Sequence, residues 1–352
     1  MRLSSYLLLG CLSLASLPTL AQTVNNLYQV REPVASQAPD ERDRATQAAV
    51  QTLVQRLTGN AKAPLAEVRK NPQQIISQYG YEAGPPEKLL VDFDPASTDR
   101  ALRQAGLPIW GSNRPSILGW WLIDSVEGSN LVGDGQGAAE PLRRAAEHRG
   151  LPLHLPLADL GEQGVGTAEH LADKDGVDIK QASERYGTDA ILAVHAREES
   201  GQWQGTWRLW LGDTREQGKA SGASVEALAD AVMLAVSERL APRFAVKPGA
   251  VASALQVQFQ GSTLERYAEL QRLLDPFGGR LALVEGDRLT FDVSASAEQV
   301  RSQLALARLQ EVPASEALPV QASGPVTAPA TPPGTAAPAP APANAPQLYF
   351  RW

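Results

Sequence analysis

LPIWGSNRPSILGWWLID, residues Leu107 to Asp124, is the stretch whose reading decides the fold. Ile117 to Ile123 within it is an unbroken run of apolar and glycine positions, the length of a strand, and rich in aromatic and branched side chains. It reads as the central buried strand of the chain. Adjacent side chains on a strand point to opposite faces of the sheet, so Trp120 and Trp121 are both buried only if a helix or loop covers the second face. Otherwise one of them is left for an interface. The same argument applies to Trp207 and Trp210, three apart on a later strand, of which one is expected packed and one partly exposed.

Working back from Leu107, Leu27 to Val34 reads as a strand. A helix follows from Asp40 to Leu57, with Ala45, Ala49, Leu53 and Leu57 recurring every fourth residue and Gly59 as the stop. Pro64 to Tyr79 reads as a second helical stretch, Gly84-Pro85-Pro86 as a turn, Leu89 to Asp94 as a strand and Ser97 to Gln104 as a helix. Working forward, Pro141 to Arg149 is a short helix, Leu151 to Leu160 an extended proline-spaced segment and Ile179 to Tyr186 a helix closed by Gly187. Ala190 to His195 and Gly205 to Leu211 form a hairpin around the polar span Arg197 to Gln204, and a helix from Val225 to Leu240 ends at Pro242.

Leu255, Val257 and Phe259 alternate with glutamines, the pattern of a strand covered on one face. A helix from Leu264 to Leu274, a hairpin of Gly278 to Val284 with Arg288 to Val293, and a helix from Ala297 to Leu306 complete a β-α-β-β-α order. The fold class expected is therefore α+β: an N-terminal α/β domain over 22–106, a tryptophan-rich α/β domain over 107–242 and a small β-α-β-β-α domain over 252–310. Nine prolines fall between Pro319 and Pro346, so 313–346 reads as a disordered Pro/Ala linker. The chain closes on Gln347-Leu348-Tyr349-Phe350-Arg351-Trp352, too apolar to leave in water. It is expected to insert as a strand into a partner through Tyr349, Phe350 and Trp352, with docking on an edge or groove of the chain's own folded domains, or a frayed terminus without contacts, as the alternatives.

Met1 to Ala21 has the features of an export signal: Arg2, an apolar run from Leu3 to Leu20, and small side chains before a cleavage point after Ala21. The expected location is the periplasm. An uncleaved membrane anchor and a lipid anchor through Cys11, in Leu8-Leu9-Gly10-Cys11, remain as alternatives. Cleavage after Ala21 removes the single cysteine, and with it disulfide and thiolate chemistry. The formal charge of −7 carries no basic block, which argues against a nucleic-acid partner.

No catalytic constellation stands out, and no catalytic, cofactor or metal residue is assigned. His148, His154, His170 and His195 have no ligand spacing, and a site built from His148, His154 and Asp159 is set aside. Gly161 to Gly166 lacks the serine of a nucleophile elbow. Asp92 with Asp94 and Asp173 with Asp175 read as solvated carboxylates. The candidate interaction residues are Trp110, Arg114, Trp120, Trp121 and Trp203, because a guanidinium over an indole and clustered aromatics are common at contact surfaces. Packing of the first four in a core is the competing reading.

Leu107-Pro108-Ile109-Trp110, Arg114-Pro115 and the Trp120-Trp121 pair, with LYQVREPVASQAPDERDRATQAAVQTLVQRLTGN before them and QASERYGTDAILAV after, resemble the bacterial family called domain of unknown function 2066, over roughly Leu27 to Leu240. That resemblance brings no established activity and no site residue. Gly187 to Val194, the tryptophan-rich strand and the helix Val225 to Leu240 are similar in layout to the amino-terminal domain of TolB and to the lipoprotein activators of peptidoglycan synthases. This second resemblance implies an envelope accessory protein that works by contact with other envelope proteins. A glycan-active or cell-wall enzyme, and a peptidoglycan or small-ligand binding protein with an aromatic groove, are the alternatives.

Overall fold

The computed structural model describes residues 24–64, 68, 71–126, 128–246, 255–313 and 347–352. The expected export signal with Cys11, and the linker apart from Pro313, lie outside the described residues. Three separate sheets, each with its own helices, give a mixed α/β fold.

The first sheet holds β1 (Gln29–Pro33), β2 (Ile76–Glu82) and β3 (Lys88–Phe93) in the order β1-β3-β2, all antiparallel. Helix α1 (Pro39–Thr58) lays Ala45, Ala49, Leu53 and Leu57 on Val30, Leu89 and Val91, as its four-residue spacing requires. Helix α2 (Pro95–Gln104) begins where Asp94 accepts from the Ser97 backbone N–H at 2.8 Å. The helix expected over Pro64 to Tyr79 is corrected: from Ile76 onward the chain is β2. Tyr79 and Tyr81 pair with Val91 and Leu89, and an available edge of β3 decides the conformation over local helical spacing.

The second sheet contains the central strand β4 (Ile117–Ser125), followed by β5 (Gly128–Leu131), β6 (Leu153–His154), β7 (Ala190–Glu199), β8 (Gln202–Leu211) and β9 (Thr214–Gly222). The order is β5-β4-β7-β8-β9, with β6 sharing the outer edge of β4. β4 and β7 run parallel in register from Ile117↔Ala190 to Asp124↔Arg197. The parallel connection passes through helices, as it must. Helices α3 (Ala139–Arg149) and α7 (Val225–Phe244) cover one face around Trp121 and Trp207, while α4 (Leu160–Val165), α5 (Ala168–Ala172) and α6 (Val177–Ser183) cover the other around Trp120 and Trp210.

Double cover corrects two expectations. Trp120 and Trp121 are both buried, as are Trp207 and Trp210, because the sheet has no open face at these positions. The polar span Arg197 to Gln204 is not a wide loop either: β7 and β8 pair out to Glu199↔Gln202, so Ser200-Gly201 alone turns the chain. Both turn residues have positive φ, 53° and 74°, which Gly201 supplies without strain.

The third sheet comprises β10 (Leu255–Gln260), β11 (Arg280–Glu285), β12 (Arg288–Val293), β13 (Gln310–Glu311) and β14 (Gln347–Arg351), in the order β11-β12-β10-β14-β13. Helices α8 (Leu264–Leu274) and α9 (Ala297–Leu306) supply Leu270, Leu274, Val300 and Leu304 to its core. Here the reading of the C-terminus is corrected. Leu348 and Phe350 are buried in this core, and β14 lies parallel to β10 and antiparallel to β13, so the hook docks on its own chain. A slot flanked on both sides by strands of the same sheet satisfies the backbone of β14 without a partner.

Candidate functional site

Trp110, Arg114, Trp120 and Trp121 are all buried, but Trp120 lies in the core on the far face of the second sheet, while Trp110 and Arg114 are in direct contact. Arg114 is fully buried, its guanidinium 4.2 Å from the Trp110 ring centroid. It donates to the carbonyls of Arg56 at 2.7 Å, Trp110 at 3.0 Å, Gly111 at 3.0 Å, Gly150 at 3.1 Å and Arg149 at 3.3 Å. Arg56 and Arg149 lie in the last turns of α1 and α3, where carbonyls lack helical partners, so one side chain caps two helices. Burial, reinforced by the like charge of Arg56, lowers the Arg114 pKa to about 9, and the carbonyls surrounding the guanidinium favour its charged form. Trp110 stacks on Phe244 of α7 at 5.9 Å. These residues join the first and second sheets rather than face a ligand.

Of the other candidates, Trp203 is half-buried against the second core, and Phe350 is buried. Trp352 is half-buried, with the Arg266 guanidinium 5.0 Å from its ring centroid, and Tyr349 is also half-buried. An aromatic groove built from Trp110, Trp121 or Trp203, which glycan binding would use, is not formed, because the first two are in the core.

The structure opens a different site, one that sequence reading missed. A groove of about 420 Å³ runs between the first sheet and the helices α3 and α7, lined among others by Arg31, Glu32, Lys88, His148, Glu226 and Asp230. At its floor His148 Nδ1 lies 2.8 Å from Asp230 Oδ1, and Nε2 lies 3.4 Å from Glu32 Oε1 and 3.3 Å from Thr52 Oγ1. Thr52 in turn donates to Glu32 at 2.6 Å. Arg149 donates to both oxygens of Asp230 and to Gln55 Oε1 at 2.7 Å. Arg56 holds the His148 carbonyl and the Leu27 and Gln29 carbonyls of the first unit.

The electrostatics follow from this packing. Burial alone would lower the His148 pKa, but the bonds to Asp230 and Glu32 outweigh it and raise the value. Burial raises Asp230, yet its bonds to His148 and Arg149 win and bring it to about 2. Thr52, His148 and Asp230 have the order of a nucleophilic triad, but the Thr52 proton is donated to Glu32, and Thr52 itself is buried. Asp230 is held as an anion, so it is no general acid. The walls are mostly apolar, with Pro33, Pro86 and Pro141 at the mouth, and Lys88 and Glu226 have no ion pair among the described residues.

Outside the groove lining, α1 and α7 meet at a close approach. Gly59, at φ 60°, caps α1 directly against α7, and an added Cβ would stand 2.1 Å from the Cβ of Ala241. A smaller cavity of about 250 Å³ brings Asp99 and Asp275 to one wall. Burial raises Asp99, which accepts from Tyr28 at 2.7 Å, and Asp275 is not among the groups that perturb it. The two carboxylates are thus not the mutually perturbed pair a glycosidase would use. His195, beside Asp124 at 2.5 Å, is hydrogen-bonded as expected, but it is buried in the middle of β7 and not at the strand's end, because the strand continues to Glu199. No group of three His, Cys, Asp or Glu among the described residues could hold a metal, and no described helix is long and apolar enough to cross a membrane.

A sequence signal for the groove existed. Thr52, Gln55 and Arg56 form a polar stripe at helical spacing beside the apolar face of α1, and Asp230 interrupts the apolar run of α7.

Residues 21–111 match the family described as Domain of unknown function (DUF8605). This match covers the first sheet unit and ends at Gly111, and it names a different family from the one expected over Leu27 to Leu240. No curated protein matches the chain. Among solved structures, the LpoB C-terminal domain from Salmonella enterica is similar at 18% identity and a TM-score of 0.20, covering 32% of this chain and 84% of that one. A likeness at that TM-score carries neither the fold nor the function over.

Proposed function

We propose that this protein is a non-enzymatic accessory protein of the cell envelope, exported to the periplasm, that works by contact with other envelope proteins, and that a partner's extended segment lies in the groove between the first sheet and α3 and α7. One observation carries this reading. Each group at the groove floor with the chemistry to react is committed to a partner inside the fold, while the lining also offers prolines and the charges of Lys88 and Glu226, which have no ion pair among the described residues. Such an arrangement favours recognition over turnover: Asp230 is held as an anion by His148 and Arg149, and the Thr52 hydroxyl is bonded to Glu32.

The experiment is co-purification from chemically crosslinked envelopes with the wild-type chain and with the double variant Lys88→Glu, Glu226→Lys. The wild type should capture a discrete envelope protein, and the reversed charges should reduce that capture at least about fivefold. Nothing above background with the wild type, or equal capture by the variant, would contradict the proposal.

A further inference from the structure

β11 ends the order β11-β12-β10-β14-β13, so its outer backbone edge is unpaired among the described residues. All six of its residues are exposed, whereas β12 beside it alternates half-buried and buried positions, so α8 and α9 reach β12 but not β11. Leu281, Leu283 and Val284 are 39%, 46% and 55% exposed. Soluble proteins guard such an edge with a charge or a proline in its middle, a bulge, or a short strand, and of these β11 carries only its six-residue length and the register shift between Leu281 and Leu283. Here the charges stand only at the two ends, Arg280 and Glu285, and neither has an ion pair among the described residues.

The sequence of this strand, Arg-Leu-Ala-Leu-Val-Glu, is complementary to its own reverse. Laid antiparallel on a second copy about a two-fold axis, Arg280 faces Glu285, Leu281 faces Val284, and Ala282 faces Leu283. Opposite charges therefore meet at both ends of the strand and aliphatic side chains meet along its middle, the cross-strand pairs that favour a sheet. Ala282, where the pairing of β11 with β12 shifts by a residue, falls beside the axis, and its side chain is the smallest of the six. An isologous contact of this kind closes on itself as a dimer and does not run on into a fibre.

We infer that β11 is a homodimerisation edge: two copies of this chain join antiparallel through Arg280–Glu285, and their third sheets become one ten-stranded sheet. The contact spans six residues a side, well under a standard stable interface, so the dimer is a weak one. It shares no residue with the groove, and it stands whether or not a partner lies there.

Sedimentation velocity of the mature full chain across roughly 1 to 500 µM tests it. The wild type should pass from monomer to dimer in that range. Arg280→Glu alone, or Glu285→Arg alone, sets like charges face to face at both ends and should weaken dimerisation at least about tenfold. The double variant Arg280→Glu, Glu285→Arg restores complementary ends and should return to within about threefold of the wild type. Leu283→Lys should remain monomeric throughout. All three positions are exposed, and circular dichroism checks that each variant is folded. A wild type that is monomeric at the highest concentration, a folded double variant as weak as the single ones, or a Leu283→Lys chain that still dimerises would overturn the inference. So would a wild-type monomer whose β11 instead takes up a strand of another envelope protein.

Discussion

Phe350 stands opposite Phe259 in the register of β14 on β10, their ring centroids 6.1 Å apart and their planes 26° from parallel. Phe259 also meets Phe291 of β12 edge-on at 5.8 Å, so Phe350 completes an aromatic cluster that runs across three strands. A segment joined to the fold through a long proline-rich stretch is thus a working part of the core.

Deleting Gln347 to Trp352 should destabilise the third sheet. Leu348 and Phe350 are both buried, and each contributes about 1.5 to 3 kcal/mol. The loss expected is about 3 to 6 kcal/mol, visible as a lowered denaturation midpoint and as faster amide exchange in β10, whose edge is uncovered. An unchanged midpoint would show that the strand is dispensable.

Arg114→Ala should cost at least about 4 kcal/mol, because five carbonyl contacts and the cation over Trp110 are lost together in a dry site. Arg114→Lys should recover little of this, since an ammonium cannot match the planar fork that reaches two helix ends. Equal stability of the lysine variant and the wild type in urea unfolding would contradict the capping role.

The groove floor sets a pH window. The folded pKa of His148 is raised, so the stability it lends is fully present below its unfolded value near about 6.5 and is lost as pH rises through the folded value. Asp230 is lowered from 3.8 to about 2, so its contribution is present above 3.8 and is lost as pH falls through that range. The junction should be firmest between about pH 4 and 6.5. Urea midpoints should fall from pH 5.5 to pH 8.5 in the wild type, and His148→Gln should flatten that slope. The same slope in both proteins would place its source elsewhere.

Much of this architecture was legible in particular residues. The four-residue spacing of Ala45, Ala49, Leu53 and Leu57 marked α1, the alternation of Leu255, Val257 and Phe259 marked β10, and the run at Ile117 marked the central strand. What failed to show depended on neighbours distant in the chain. Ile76 to Glu82 became a strand because β3 offers it an edge, and β9 carries no apolar alternation because it is itself an edge strand. The tryptophans misled for the same reason: a sheet covered on both faces buries adjacent indoles that composition alone suggests are for binding. The groove was hidden more deeply, since Glu32, Thr52, His148 and Asp230 come from four elements and none matches a local motif.

Site-directed photo-crosslinking tests contact through the groove most directly. A photoreactive side chain placed at Lys88 or at Glu226 in the exported full-length chain, irradiated in living cells, should give a discrete adduct with one envelope protein. The same group at Leu264, 85% exposed on α8 and away from the groove, should not. Adducts of equal yield from all three positions, or none from Lys88 and Glu226, would contradict a partner seated between the first sheet and α3 and α7.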